Sequence, residues 1–505
     1  MGDYAGLDLD MAVFAGSLVL LVGVLAVRLS VGAGLPSLLL YLAIGLALGE
    51  SGLGLPFEDA ALTTVLGTLA LAVIIGEGGL STRWSVMRPV LGLAGLLATV
   101  GVAVSVAVTA VLSHALLDVD WRTALLLGAV VGSTDAAATF SVLRRLPVRP
   151  RLRATLEAES GLNDPPVIIL VTLVASDAWE TASGWAIAGQ LVLQVVLGVG
   201  VGLAAGAVGA TALRRGALPS SGLYPLATFT WLLLAFSGAA LLGGSGLMAV
   251  YVAGLWLGNS RLPHHQASLG FAEGLAWLAQ IALFVLLGLL ASPARLLDAL
   301  LPAAAVGLAL TVVARPLAVA VCSVWARLPW REQVFLSWAG LRGAVPIVLA
   351  TIPVAQGLPS ATRIFDVVFV LVVVFTLLQA PTLPWLARRT GVAVATSPLD
   401  LAVESAPLEG MSAALLQLEV PQGSQMAGLY VTDLRLPPEA ALALVHREGR
   451  VLVPDAHTTL RSGDTLLLAV PDPVRRETER RLRAVARRGR LAYWHGERRE
   501  PSPRR

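Results

Sequence analysis

Three acidic side chains stand at the start of an apolar stretch near residue 160. The segment 156–166 carries Glu157, Glu159 and Asp164, and the uncharged apolar run 167–174 follows it. Ionisable groups inside a bilayer are costly to bury, and they mark ion pathways far more often than packing. A carboxylate there can hold a proton or a cation, because protonation removes the charge that attracts the cation. Exchange of the two ions is therefore the simplest chemistry that Asp164 could perform.

Asp135 is expected at a depth in the membrane similar to that of Asp164. A helix that enters the membrane near Ala154 carries Asp164 ten residues in, about 15 Å deep. The preceding helix exits near Arg144 and carries Asp135 nine residues above that end, roughly 13 Å deep. Because the hydrocarbon core is about 30 Å thick, both carboxylates are expected near its midplane.

Oxygens around Asp164 could complete a site for a dehydrated monovalent cation. Ser160 lies four residues before Asp164 and so shares its helix face. The segment 132–135, Gly-Ser-Thr-Asp, combines glycine with side chains that compete for backbone hydrogen bonds. Freed backbone at membrane depth can bind a cation, so we expect oxygens of Asp164, Ser160 and Thr134 as ligands. Asp135 keeps two open roles, in ion transport or in capping the interrupted helix.

Glu159 and Arg315 are expected to form a structural ion pair. Glu159 is five residues from Asp164, about 140° round the helix, and therefore faces elsewhere. Arg315 lies twelve residues from Arg327, roughly 18 Å along its own helix. An arginine is always charged and is poorly tolerated alone at that depth, so an acidic partner is the economical arrangement.

A third charged segment contains Gly340, Arg342, Gly343 and Pro346, whose glycines and proline interrupt an apolar helix near mid-membrane. Predicted helices five and twelve run antiparallel, and each is interrupted midway. Two broken helices that cross are typical of inverted-repeat transporters, whose site lies at the crossing. Arg342 is expected to stabilise the helix ends there, with a place on the ion path as the alternative.

The composition identifies an all-α polytopic membrane protein. Of the 505 residues, 56% are hydrophobic and 14% are charged, against about a quarter charged in soluble domains. The mean hydropathy is +0.77, and the single cysteine excludes an internal disulfide. Apolar stretches of about 20 residues predict spanning helices. We predict thirteen, at approximately 9–29, 34–52, 60–80, 89–113, 121–144, 154–176, 184–213, 222–242, 245–260, 270–291, 298–326, 332–355 and 363–387.

Loop charges and a change of composition predict the orientation and the domains. Loops after even-numbered helices hold only three arginines, whereas most loop arginines follow odd-numbered helices. Cytoplasmic loops are enriched in basic residues, so the N-terminus is expected outside and the C-terminus in the cytosol. The predicted parts are a membrane domain at 1–389, a linker at 390–410, a small cytosolic α+β domain with alternating strands at 411–473, and a basic, charged tail at 474–505.

Five stretches resemble motifs of the cation/proton antiporter-1 family, specifically its bacterial NhaP-type potassium/proton antiporters. The Asn163-Asp164 pair and the run Gly340-Leu341-Arg342-Gly343-Ala344 are the specific ones, and all occur in the family's order. The matching stretches are 76–80, 133–138, 159–165, 315–316 and 340–346.

The resemblance implies that Asp164 binds the proton and the cation, with Asn163, Asp135, Thr134 and Ser160 around it. Family members with Asn before this Asp exchange one cation for one proton, so electroneutral exchange is implied, with K⁺ favoured over Na⁺. An inverted-repeat fold of the NhaA and NapA type and a homodimer are implied as well. In that fold, helices four to six and eleven to thirteen move in an elevator-like manner against the dimerisation bundle.

The segment 411–473 resembles the TrkA-C lobe of potassium-conductance regulators. The resemblance implies a regulatory domain that, in some relatives, dimerises and binds a small ligand such as a cyclic dinucleotide. It further implies a protein of the bacterial inner membrane, surrounded by lipid, that serves cytoplasmic pH and potassium homeostasis. No enzyme activity, resident cofactor or nucleic acid partner is expected.

Three other functions stay open at this point. Na⁺(Li⁺)/H⁺ exchange on the same fold is the first, because the motifs do not decide between K⁺ and Na⁺. An intramembrane aspartyl protease could use Asp135 and Asp164, but Asn163 stands where such proteases need glycine. A channel with a regulatory domain is the third, although an arginine at the crossover is hostile to cation conduction.

Overall fold

The protein is described here by a computed structural model. It describes residues 9–33, 36–50, 52, 54, 57, 59–135, 148–180, 183–393, 403–408 and 413–492. The chain divides into two compact units, Met1–Val394 and Ala395–Arg505. The first is helical and the second is built on a small sheet, so this is a helical membrane protein with a C-terminal sheet domain.

The first unit consists of helices joined mostly by short loops. They are α1 (Leu9–Ala33), α2 (Ser37–Leu48), α3 (Ala60–Ser81), α4 (Trp84–Leu117), α5 (Trp121–Val130), α6 (Pro150–Ala175), α7 (Gly184–Arg215), α8 (Leu223–Leu241), α9 (Gly246–Gly258), α10 (His265–Leu290), α11 (Leu300–Ala326), α12 (Trp330–Trp338), α13 (Ala344–Ala355) and α14 (Ala361–Thr390).

Seven of the described helices are long and apolar enough to cross a membrane, namely α3, α4, α7, α8, α10, α11 and α14. Shorter apolar helices include α2, α5, α9 and α13. Helix α6 is a continuous helix of 26 residues that contains charged side chains. The predicted fifth helix, 121–144, extends beyond residue 135 into a segment outside the described residues, so the count of thirteen stays a prediction.

Side-chain caps explain where several helices begin. The Asp59 carboxylate accepts a hydrogen bond from the Leu62 amide at 2.8 Å, at the start of α3. Asp120 does the same for Thr123 at 3.0 Å, at the start of α5. Such caps satisfy amides that have no partner inside the first turn, and they define where these helices begin.

Glycines allow neighbouring helices to approach closely. A Cβ at Gly254 of α9 would lie 2.8 Å from the Gly76 carbonyl of α3. A Cβ at Gly79 would lie 2.6 Å from the Tyr251 carbonyl. Close backbone contact through small residues drives helix association in a bilayer, where lipid is as apolar as the side chains. Helices α3 and α9 therefore form a tightly packed pair.

Two π turns widen α4 and α11 in their middles, at Leu97–Gly101 and Ala309–Ala314. The first turn lies beside the half of α11 that follows the second turn, where the Cys322 thiol donates to the Leu96 carbonyl of α4 at 3.4 Å. Arg315 follows the second turn directly and begins a regular helix. Such turns are frequent at functional sites. The turn at Ala309–Ala314 sets the position of Arg315, which is buried.

The predicted twelfth helix is interrupted, as the sequence indicates. It consists of α12 and α13, and Gly340, Arg342 and Gly343 lie in the gap at 339–343. Pro346 differs from the prediction, because it lies inside the first turn of α13. A missing amide is tolerated there, so Pro346 begins the second half and the glycines make the break. Helix α5 ends at Val130, and 131–135 leave the helix.

The second unit contains a five-stranded antiparallel sheet in the order β1-β2-β5-β3-β4. Its strands are β1 (Val403–Leu408), β2 (Ala413–Glu419), β3 (Ala441–Arg447), β4 (Arg450–Leu452) and β5 (Thr465–Pro471). Leu416 pairs with Leu468 and Leu418 with Leu466, and all four are buried. Helix α15 (Arg475–Arg488) contributes Leu482 and Val485 to the same core.

Both boundaries of this unit differ from the predicted ones. Strand β1 lies inside the segment predicted as a linker, 390–410, and pairs along β2. Helix α15 lies in the segment predicted as a charged tail, 474–505, yet one face of it is buried. The sheet unit therefore takes in residues on both sides of 411–473. The physical reason is that β1 extends the ladder along β2 and that α15 contributes apolar side chains to the core.

Candidate cation and proton site

Helix α6 carries the predicted acid into the interior of the unit. Asp164 lies fourteen residues after Pro150, about 21 Å along the helix, and it is 1% exposed. The helix is continuous through Pro165 and Pro166. Proline has no amide hydrogen, so the carbonyls four residues earlier lose their usual donors. Irregular hydrogen bonding at this depth is tolerated where other groups take its place.

The structure brings Asn163, Ser160 and Thr134 together. The Asn163 amide nitrogen donates to the Thr134 hydroxyl at 2.7 Å. The Thr134 and Ser160 hydroxyls lie 3.0 Å apart and share a hydrogen bond. All three side chains are buried. One turn of α6 is thus linked to the non-helical segment 131–135, and the cation-binding role of these residues stays a prediction.

Several buried oxygens in this region accept no hydrogen bond from the described residues. They are Oδ1 of Asp164, Oδ1 of Asn163 and Oγ of Ser133. The charged neighbours of Asp164 are Asp135 and Arg342. An unsatisfied buried acceptor is costly, whereas a cation or a proton would satisfy it. The arrangement is one carboxylate among hydroxyl and amide oxygens, and oxygen ligands suit a hard cation.

Within the described ranges, no group of three or more His, Cys, Asp or Glu side chains is placed to hold a metal ion. The candidate cation ligands are the oxygens around Asp164. Their low total charge fits a monovalent ion better than a divalent one, which takes six to eight oxygens with several carboxylates.

Asp135 contacts the start of α13 across the crossover. Its carboxylate accepts from the Ala344 amide at 2.6 Å, and its own amide donates to the Leu341 carbonyl at 3.0 Å. A side chain at Gly343 would collide with the Asp135 carboxylate. A negative charge at a helix N-terminus is stabilising. Asp135, which follows α5, thus caps the N-terminus of α13.

Arg342 links the two interrupted segments in the opposite direction. Its Nη1 donates to the Ser133 carbonyl at 2.5 Å, and the Thr376 hydroxyl of α14 donates to the Arg342 carbonyl at 2.9 Å. The Arg342 side chain is buried. Asp135 and Arg342 together join the two interrupted segments. The Asp135 carboxylate accepts from the Ala344 amide, and the Arg342 guanidinium donates to the Ser133 carbonyl.

Glu159 and Arg315 form a buried, two-pronged ion pair. Arg315 Nη2 donates to Glu159 Oε2 at 2.9 Å, and Nη1 pairs with Oε1. Nη2 also donates weakly to the Leu336 carbonyl at 3.4 Å. A Cβ at Gly340 would lie 2.8 Å from Arg315 Nε. Gly340 therefore makes room for the guanidinium, and the pair joins α6 to α11 beside the crossover.

Two anchors hold the ends of α6, and helix periodicity and depth do not predict either of them. Arg122 of α5 donates to the carbonyls of Val174, Ala175 and Ser176 at 2.9–3.0 Å and so caps the C-terminal end. A basic residue at a helix C-terminus is stabilising. Arg122 is one of three arginines in the arginine-poor loops, and that rarity was the available signal.

The other anchor is Arg149, which precedes α6. Its Nη1 pairs with Glu332 at 2.7 Å, and its amide donates to the Val392 carbonyl at 3.2 Å. Val148 forms an isolated antiparallel bridge with Ala393. The start of α6 is thus joined to the end of the first unit. No sequence pattern near 391–393 indicates this contact.

Tyr251 of α9 packs on the site helix at Gly161. A Cβ at Gly161 would lie 2.8 Å from the Tyr251 ring. The Tyr251 hydroxyl donates to the Met87 sulfur at 3.6 Å. The glycine after Ser160 is therefore needed for a close contact between α6 and α9.

The fold and the site define a helical membrane protein with interrupted helices around a buried carboxylate. A family model described as "Sodium/hydrogen exchanger, transmembrane" matches residues 16–389, and a TrkA-C domain model matches 415–483. The chain belongs to the sodium/hydrogen exchanger family. The predicted resemblance, including the TrkA-C domain, is confirmed.

Curated relatives extend over most of the chain. The K(+)/H(+) antiporter NhaP2 of Shewanella sp. (strain MR-4) is 37% identical over 466 residues, which cover 89% of this chain and 79% of the relative. The K(+)/H(+) antiporter NhaP of Alkalimonas amylolytica is 35% identical over 472 residues, 91% of this chain and 81% of the relative. These relatives are transporters and not enzymes, which removes the aspartyl protease from the alternatives.

A solved structure shares the fold over about three quarters of the chain. The sodium proton antiporter MjNhaP1 from Methanocaldococcus jannaschii at pH 8 has a TM-score of 0.67. It covers 76% of this chain and 99% of its own, at 23% sequence identity. At that identity the likeness concerns the fold alone.

Proposed function

We propose that this chain is an antiporter that exchanges K⁺ for H⁺ across the bacterial inner membrane. Asp164 carries the proposal, because it is buried and its Oδ1 accepts no hydrogen bond from the described residues. A proton or a cation can satisfy that oxygen, and each excludes the other. The names of the curated relatives, which are K(+)/H(+) antiporters, support the same exchange.

The cation is held by Asp164 together with the hydroxyls of Ser160 and Thr134 and the backbone beside Thr134. Asn163 orients the Thr134 hydroxyl through the 2.7 Å hydrogen bond. In the cation-bound state Asp164 is ionised, and in the proton-bound state it is neutral and the ligand charge is gone. The site can move across the membrane only when it holds either the cation or the proton, and not when it is empty.

Exchange of one cation for one proton follows if Asp164 alone changes its charge. Glu159 is neutralised by Arg315 in the buried pair, and the Asp135 carboxylate is held by the Ala344 amide. The loaded site then carries the same charge with K⁺ as with H⁺. This electroneutral stoichiometry is part of the proposal, as is the structural role of Asp135.

Alternating access would move α4–α6 and α11–α14 as one bundle against the remaining helices, in an elevator-like manner. The contacts that support a rigid bundle are the Glu159–Arg315 pair and the Asp135–Ala344 and Arg342–Ser133 hydrogen bonds. The proposal includes a homodimer, thirteen spanning helices of the inverted-repeat NhaA type, an outside N-terminus and a cytoplasmic C-terminus.

The TrkA-C domain would regulate this transport for cytoplasmic pH and potassium homeostasis. Its match at 415–483 supports a regulatory role. A small ligand, with a cyclic dinucleotide as the first candidate, would act there.

Na⁺(Li⁺)/H⁺ exchange is the second candidate, and the description of the family as sodium/hydrogen exchangers favours it. The experiment that decides is cation-induced pH change in proteoliposomes, with K⁺, Rb⁺, Na⁺ and Li⁺ compared at zero membrane potential. The K⁺ proposal predicts that K⁺ and Rb⁺ collapse the pH gradient and Na⁺ does so poorly. A preference for Na⁺ and Li⁺ would keep the site and overturn the choice of K⁺.

A further inference from the structure

One face of α15 is buried in the sheet unit, and the opposite face carries a row of arginines. The buried face contributes Leu482 and Val485 to the core, and the Arg481 Nε donates to the Leu434 carbonyl at 3.0 Å. The arginine row consists of Arg476, Arg480, Arg483 and Arg487, and all four are exposed.

The spacing of the arginine row gathers its charges on one line. Intervals of four, three and four residues place the four side chains within about 60° of one another at 100° per residue. The row extends over about 17 Å at 1.5 Å per residue. Glu477 and Glu479 of α15 lie to the sides of the row, and Glu479 pairs with Arg475 at 3.0 Å.

Two arginines outside the row form ion pairs within the unit. Arg447 pairs with Asp464 at 2.7 Å, and Arg490 pairs with Asp433 at 2.9 Å. The row itself places exposed positive charge on the face of α15 that points away from the core. A line of single-sign charge on a rigid helix matches an extended, negatively charged surface.

The position of the sheet unit in the sequence indicates which negatively charged surface the arginine row could meet. Helix α14 ends at Thr390, and β1 begins at Val403. The twelve residues between them can span at most roughly 40 Å. A tethered domain meets the membrane surface at a high effective concentration, so weak contacts suffice for binding.

We propose that the arginine row docks the C-terminal unit on anionic lipid headgroups of the cytoplasmic leaflet. Guanidinium groups bind phosphate oxygens with two parallel hydrogen bonds, and that leaflet carries negative charge. Each arginine near such a surface favours the docked state by about fivefold. The proposal uses the cytoplasmic C-terminus proposed above, and it is independent of which cation the first unit exchanges.

The test uses the full chain with Cys322→Ser and a nitroxide on Glu477→Cys, beside the row on α15. The protein is reconstituted in vesicles of phosphatidylcholine alone or of phosphatidylcholine with phosphatidylglycerol in both leaflets. A trace of nickel-chelating lipid relaxes the label when α15 approaches the headgroups. Because both leaflets are alike, the result depends neither on transport nor on the orientation of the protein.

The proposal predicts strong relaxation only with phosphatidylglycerol, and its loss at high salt as the charges are screened. Arg480→Gln with Arg483→Gln should lower the ratio of docked to undocked protein by about 25-fold. Lysine at both positions should retain most of the docking, because it keeps the charge. Arg450→Gln with Arg461→Gln, which removes two exposed charges outside the row, should change nothing.

Three results would overturn the proposal. Relaxation that is equal in both lipid mixtures would exclude a role of lipid charge. An equal loss in the row variant and the control variant would show that net charge, and not the row, is recognised. Dipolar broadening between the labels of two chains, without nickel relaxation, would assign the row to a second copy of the protein.

Discussion

The Asn163 amide donates to the Thr134 hydroxyl at 2.7 Å, and this hydrogen bond joins helix α6 to the non-helical end of α5. Thr134 in turn shares a hydrogen bond with Ser160. The Asn163 side chain therefore orients the Thr134 hydroxyl directly and the Ser160 hydroxyl through Thr134. Both hydroxyls are candidate cation ligands. The cation site depends on this link between two elements as much as on the carboxylate.

Removal of the Thr134 hydroxyl should weaken cation binding. In Thr134→Val, the Asn163 amide and the Ser160 hydroxyl lose a buried partner, which costs about 1–3 kcal/mol. The KM for K⁺ in proteoliposome exchange should rise by about tenfold. Thr109→Val is the matched control, because the Thr109 hydroxyl is buried with no hydrogen-bond partner among the described residues. An unchanged KM in Thr134→Val would exclude a role for this network.

Disruption of the Glu159–Arg315 pair should destabilise the protein. Glu159→Gln leaves a buried guanidinium without its counter-charge, which costs about 3–5 kcal/mol. Glu157→Gln, two residues away, breaks only the half-exposed pair with Arg153 and should cost under about 1 kcal/mol. Thermal unfolding in detergent, followed by the loss of monodisperse protein, compares the two variants. Equal midpoints would contradict the structural role of the buried pair.

A methyl group at Gly343 should disturb the crossover. In Gly343→Ala the new Cβ collides with the Asp135 carboxylate, which must leave the Ala344 amide. Exchange should fall by more than tenfold, because loss of the Asp135 cap costs about 1–2 kcal/mol and the start of α13 shifts with it. Gly95→Ala in α4 places its Cβ where no atom lies within 4 Å, and exchange should be normal. Equal activities of the two variants would refute the close contact.

The stability of the sheet unit should depend on the ionisation of Asp464. Burial raises the pKa of this carboxyl, but hydrogen bonds from Arg447 and the Arg461 amide outweigh it, so the pKa lies below its ordinary value of 3.8. A lowered folded-state pKa gives stability that is complete above the unfolded value and is lost as the pH falls through the folded one. Protection should therefore decline only below about pH 4.

Asp464→Asn should remove this pH dependence and cost about 1–3 kcal/mol at neutral pH, because a charged acceptor of three hydrogen bonds is lost. The measurement is hydrogen exchange of the β5 amides in the intact chain, corrected for the intrinsic effect of pH. Glu439→Gln, at an exposed position before β3, is the control. A decline of wild-type protection between pH 7 and 5 would contradict the assignment to Asp464.

The sequence carried enough information to find the charged centre of the fold. Acids and arginines deep in apolar helices must meet partners, so Asp164, Glu159 and Arg315 could be placed from depth and helix angle alone. Contacts across the crossover were not accessible in this way. The choice between a capping and a transport role for Asp135 needs the position of the Ala344 amide, which only the three-dimensional crossing provides.

The boundaries of the sheet unit show a second limit. Strand β1 contains Glu404 and Pro407, which hide its alternation, and an edge strand tolerates both because one side makes no ladder hydrogen bonds. Helix α15 is so rich in arginine that its average polarity hides a buried face with Leu482 and Val485. Both elements depend on partners distant in the chain, and local pattern does not reveal such partners.

The central claim is that Asp164 binds the proton and the cation in turn. Its most direct test is K⁺-induced pH change in proteoliposomes with wild type, Asp164→Asn and Asp118→Asn. Asp118 follows α4 in a left-handed conformation that asparagine also adopts, so this control should exchange like wild type. The account predicts that Asp164→Asn is folded, monodisperse and silent at every pH. Exchange by the folded Asp164→Asn protein at a rate near that of Asp118→Asn would contradict it.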